Sequence, residues 1–178
     1  MQIIRTKIAK SRAHRSGVVV LELILTMPAF LLIMLAIVQI SLIYVVSEQT
    51  AYASRYAAKI ASDTTQASLP ALNTGALKTI VDNVLMVGEI PLGSCRVVLE
   101  HNVGAAATIN DPAMAADGCD CDPPGTSLPV VVSAVNTESV RATVCVRLNG
   151  NIPDFLDSFG FSIEDYVVEH STTYLYKL

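Results

Sequence analysis

The sequence predicts an α+β, single-pass membrane protein with one long N-terminal helix, a short helix and a small antiparallel sheet. Three observations point there. First, 24 of the 29 residues from Val18 to Val46 are hydrophobic, the exceptions being Glu22, Thr26, Pro28, Gln39 and Ser41. Second, Leu77, Ile80, Val81, Val84 and Leu85 recur at helical spacing. Third, the period changes to two after Gly88, as half-buried strands require. The chain has 178 residues and is 52% hydrophobic, too apolar for a disordered chain. Its net charge of −4 argues against a nucleic-acid partner.

The long helix begins behind a basic leader, residues 1–17. Arg5, Lys7, Lys10, Arg12 and Arg15 lie there with no acidic residue. A short basic flank beside an apolar run keeps that end in the cytoplasm. The following domain is then expected outside the membrane, in the periplasm. An ordinary secretory signal has an apolar core of about 7–15 residues. At about 1.5 Å per residue, Val18–Val46 would extend roughly 43 Å, against a hydrocarbon core near 30 Å.

Glu22 does not suit a plain anchor. A carboxylate inside a bilayer costs about 2.5–3.5 kcal/mol on insertion scales and calls for a partner. The stretch Ser16-Gly17-Val18-Val19-Val20-Leu21-Glu22 supplies one. Cleavage after Gly17 would create a cationic amine on Val18, four residues before Glu22 and on the same helix face. That amine on one subunit would pair with Glu22 of its neighbour. Pro28 removes the hydrogen bond to the Ile24 carbonyl, which a membrane helix tolerates when neighbours satisfy the group.

The stretch Arg15 to Ala61 resembles the TadE-like pseudopilins of tight-adherence (Tad, or Flp) pilus systems. The resemblance rests on a basic residue and Gly, four apolar residues, Glu22, and Pro28 six residues later. It continues through the membrane into Thr50-Ala51-Tyr52-Ala53-Ser54-Arg55-Tyr56-Ala57-Ala58. Leu23 stands where the family usually has an aromatic residue. The resemblance implies a pilin-like plan and cleavage by a prepilin peptidase between Gly17 and Val18. It also implies association with other pseudopilins or the pilin of the same system in the bacterial inner membrane, through Glu22 and Pro28. Removal of 17 residues would leave 161, with 7 basic and 16 acidic side chains, a balance of −9.

The helix is expected to run over 18–62, transmembrane to about 46, with the outer domain at 63–178. No Gly or Pro interrupts it between Pro28 and Pro70, and Tyr44 would mark the outer interface. Asp63–Pro70 reads as a polar connection. A helix follows over Asn73–Val87, with Gly88 as its C-terminal stop. Cys95, Val97, Leu99 and His101 share one strand face. Val140, Ala142, Val144, Val146 and Leu148 share another, opposite Arg141, Thr143, Cys145 and Arg147. Leu128–Val135 and Ser139–Leu148, separated by Asn136-Thr137-Glu138, read as a hairpin. Tyr166–Lys177 reads as the last strand, and Gly104–Pro129 as a surface loop.

The four cysteines allow three connectivities. Disulfides persist in the periplasm. The favoured framework joins Cys119 and Cys121 each to Cys95 or Cys145, since a bond across Cys119-Asp120-Cys121 would be strained. A metal in Asp117-Gly118-Cys119-Asp120-Cys121-Asp122 is not assigned, because the spacing fits neither a calcium loop nor a paired zinc site. His101 stands roughly 20 Å along a strand from Cys95, too far for a catalytic pair. Without a nucleophile elbow, phosphate loop or zinc-protease helix, the chain is read as no enzyme, with no cofactor. The leading expectation is a minor pseudopilin-like structural subunit for pilus assembly. The alternative is an unprocessed, membrane-anchored periplasmic binding module.

Overall fold

A computed structural model describes the backbone over residues 5–69, 72–103, 108–110, 128 and 138–176, and the side chains there except 5–16, 73–74 and 108–110. Helix α1 spans Arg5–Asp63 and continues through Pro28. A 3-10 turn at Gln66–Ser68 and a π turn at Leu72–Ala76 lead into α2, Leu77–Met86. The strands are β1 (Cys95–His101), β2 (Thr108–Asn110), β3 (Ser139–Arg147) and β4 (Val167–Leu175). They form one antiparallel sheet in the order β2-β1-β3-β4.

The sheet packs on the outer half of α1 because that half offers a row of small side chains. Ala53, Ala57 and Ala61 recur every four residues and are wholly buried, with Ala58 beside them. Their core partners include Val97, Leu99, Val140, Ala142, Val144 and Val146 from the sheet and Val81 and Leu85 from α2. Val46 and Ile43, the last inward-facing residues of the apolar run, join this core. Beside Val168, which packs on the core, two polar side chains of β4 facing α1 are paired. Ser47 Oγ lies 3.0 Å from His170 Nε2, and Ser54 Oγ lies 2.9 Å from Thr172 Oγ1. These two contacts tie β4 to α1 at points seven residues apart on the helix.

Two local expectations change. β3 has β1 on one edge and β4 on the other. Its hairpin partner is therefore not Leu128–Val135, a run that lies outside the described residues apart from Leu128. A strand buried at every residue but Arg147, as β3 is, is better placed at the sheet's centre than in a peripheral hairpin. Within the expected surface loop Gly104–Pro129, Thr108–Asn110 is strand, pairing with Leu99–His101.

Gly88 also has a different role. α2 closes with Glu89 N–H donating to the Met86 carbonyl at 3.1 Å and Ile90 N–H to the Leu85 carbonyl at 3.3 Å. This is a Schellman turn, with buried Leu85 and Ile90 as its apolar pair. Its left-handed residue is Glu89, at φ 64°. Gly88 instead gives room to Gln49 on α1, since a Cβ there would stand 2.8 Å from Gln49 Cγ and force that side chain to shift.

Candidate functional site

Among the candidate residues, those in the first turns of the apolar run stand apart from the core. Gly17 is helical, and a Cβ built on it meets nothing within 4 Å. Its backbone has no positive φ. Glycine in a helix interior costs about 1 kcal/mol relative to alanine, so the fold gives no reason for Gly17. Val18 is 54% exposed, and Glu22 is exposed too. Among the described residues, Glu22 makes no hydrogen bond or ion pair. Pro28 lies farther along, beside Met27 and Leu31 in an apolar groove. Thr26 Oγ1 donates to the Leu23 carbonyl at 3.2 Å in the turn just before it. Gly17, Val18, Glu22 and Pro28 thus lie on a helix that, by length and composition, suffices to cross a membrane.

The cysteines divide between the two faces of the sheet. Cys95 pairs in register with Val146, while Cys145 pairs with Arg96. Cys95 therefore points into the core beneath the helices, and Cys145 to the opposite face with Val98. Cys145 is disulfide-bonded, to a partner outside the described residues. Cys95 is a thiol rather than half of a bridge. Its Sγ donates to Asp82 Oδ1 at 3.1 Å. The favoured framework, with Cys119 and Cys121 each bonded to Cys95 or Cys145, differs from the structure at Cys95. Cys119 and Cys121 lie outside the described residues.

Asp82 organises the junction of α2 and β1. Lys78 Nζ lies 2.8 Å from its Oδ2, with both side chains nearly buried, and Gly93 N–H approaches Oδ1 at 3.4 Å. On the outer sheet face, Arg141 Nε lies 3.2 Å from Glu100 Oε2, both side chains under a tenth exposed. These two are directly opposite in the β1–β3 register. Burial holds the His101 imidazole below its ordinary pKa. Burial, with the Glu138 carboxylate adding to it, raises the Tyr176 phenol. Tyr176 donates its hydroxyl to the Thr64 carbonyl and so ties the end of β4 to the top of α1. No group of three or more His, Cys, Asp or Glu able to hold a metal occurs among the described residues.

One feature of the structure was not read from the sequence. Gln39, inside the apolar run, is 3% exposed, and its Oε1 accepts the Phe155 N–H at 3.0 Å. The connection between β3 and β4 thus comes down alongside the membrane-type part of α1. Its signal in the sequence is three phenylalanines close together, Phe155, Phe159 and Phe161, in the connection between the two strands.

Residues 17–59 match the family model of TadE-like proteins, a pilus-associated, non-enzymatic family. The matched segment begins at Gly17 and takes in Glu22, Pro28, Ala53, Ala57 and Ala58. No curated protein and no solved structure matches the chain.

Proposed function

We propose that this chain, TadE-like over residues 17–59, is a minor pseudopilin-like subunit of a Tad-type pilus assembly system. A prepilin peptidase cuts it after Gly17. The observation that carries this reading is the pair Gly17 and Glu22. Packing does not require the glycine, and the carboxylate has no partner among the described residues although it stands in an apolar run. Each is explained by something outside the folded chain. A peptidase cleft needs a small residue at the cut, and a carboxylate in lipid needs a cation.

After cleavage, the Val18 amine of one subunit meets Glu22 of another within the inner membrane, and related pseudopilins or pilin are the partners. The leader stays cytoplasmic, and the sheet domain lies in the periplasm. The protein acts as substrate and scaffold, so the chemistry belongs to the peptidase.

Co-expression with a prepilin peptidase, followed by N-terminal sequencing, tests the reading. The expected product begins at Val18, and Gly17→Ala abolishes it without loss of the folded domain. A product beginning at Met1 in both cases would overturn the proposal and favour an unprocessed, anchored binding module. Glu22→Ala is expected to be cut yet fail to co-purify with its pseudopilin partners. Normal assembly of that variant would remove the charge pairing.

A further inference from the structure

We propose that the β3–β4 connection is a second membrane contact, with Phe155, Phe159 and Phe161 entering the outer leaflet beside α1. The proposal rests on α1 crossing the membrane as described above. Counted from Val18 at about 1.5 Å per residue, a hydrocarbon core of about 30 Å ends near Ile37, short of the boundary near Tyr44 and Val46 that the length of the apolar run alone suggests. Gln39 is two residues beyond Ile37, at the outer boundary by this count. Its side-chain amide oxygen receives the Phe155 N–H there.

The loop then reaches back along the helix. Phe159 lines the same apolar groove as Met27, Pro28, Leu31 and Met34, which are within the outer and central hydrocarbon by the same count. Phe155, Phe159 and Phe161 are 39%, 52% and 70% exposed. Three exposed phenylalanines on one connection form a surface that water disfavours and an acyl-chain boundary accommodates. Tyr166, 64% exposed at the loop's end, suits the headgroup level.

The loop is shaped before it meets lipid. Asp154 accepts the N–H groups of Leu156 at 3.3 Å and Ile163 at 2.8 Å, closing the bow across its neck. Gly160, at φ 85°, ends the 3-10 turn Asp157–Phe159. Ile163 anchors the returning limb in the core. The charged residues of the connection are Asp154, Asp157, Glu164 and Asp165. With no basic residue there, attraction to anionic headgroups is absent and insertion must be apolar. The occupant of the groove is therefore lipid acyl chain, and the loop is a monotopic foot that sets the height and tilt of the sheet domain above the bilayer.

The chain has no Trp, so a single introduced Trp reports depth. Full-length Phe159→Trp and Phe161→Trp are reconstituted in zwitterionic vesicles containing lipids brominated at defined acyl positions. Val87→Trp, 84% exposed next to the residue that abuts Gln49, is the aqueous control, and Ile33→Trp is the anchor control. Circular dichroism confirms folding of each, and either loop variant suffices if the other misfolds. The expected result is blue-shifted emission and bromine quenching at positions 159 and 161, strongest for bromines near the glycerol end, with none at position 87. Loop variants that match Val87→Trp while Ile33→Trp is quenched would overturn the loop contact and leave the anchor intact. An unquenched Ile33→Trp would overturn the anchor itself. Shielding of position 159 that vanishes on dilution of protein in lipid would assign the surface to a second copy, and would equally overturn the proposal.

Discussion

Replacing Arg141 by Met would strand the Glu100 carboxylate, a buried side chain on the outer face of the sheet. The two charged groups stand 3.2 Å apart, with side chains 5% and 7% exposed. At that separation and an effective dielectric near 20, their attraction is roughly 5 kcal/mol. Most of it offsets the cost of removing both ions from water. Deleting one partner leaves that cost uncompensated, at about 3–5 kcal/mol. A domain of about a hundred residues loses roughly 4 °C of melting temperature per kcal/mol. The expected fall is therefore about 12–20 °C, read by circular dichroism of the detergent-solubilised chain. The double variant Arg141→Met, Glu100→Leu should recover most of the loss, since it buries no charge. A fall of less than about 1 kcal/mol for the single variant, the range of exposed pairs, would refute the claim that this pair is desolvated.

Ala57→Leu forces extra methylenes into the wholly buried seam between α1 and the sheet, and should destabilise the domain by about 1–3 kcal/mol. Thermal unfolding that matches the parent would remove the seam. Glu89→Gly should raise stability by about 1 kcal/mol, because a side chain at φ 64° carries left-handed strain that glycine avoids; a lowered denaturation midpoint would count against it. Burial depresses the His101 pKa below 6.5, so as pH falls the unfolded chain binds its proton before the folded one does. Stability from this group is full above about pH 6.5 and is lost as pH drops below it. His101→Asn should flatten that slope, and an unchanged slope would assign it elsewhere.

The residues of the apolar run were legible because its composition is uniform over many turns. Gly17, Glu22 and the run to Val46 need no fold to be read, and the match over 17–59 covers that same stretch. The end of α2 was legible as a place but not as a mechanism. Glycine serves both turns and close approaches, and only the distance from Gly88 to Gln49 shows which applies. The strand periods of 95–101 and 139–147 were visible, yet their partnership was not, because alternation fixes faces and says nothing about neighbours. That is why β1 rather than Leu128–Val135 lies beside β3.

The sequence by itself determined the membrane-type helix, the basic stretch before it, the Gly17–Glu22 spacing and the α+β class, all of which depend on composition and on periods along one segment. Only the tertiary structure decided the rest. It set strand order, placed Cys95 and Cys145 on opposite faces, and paired Ser47 with His170. It also brought Phe155 to Gln39, 116 residues earlier in the chain. Each of these is a contact between distant segments, and its energy depends on which surfaces meet, a quantity that no local pattern carries.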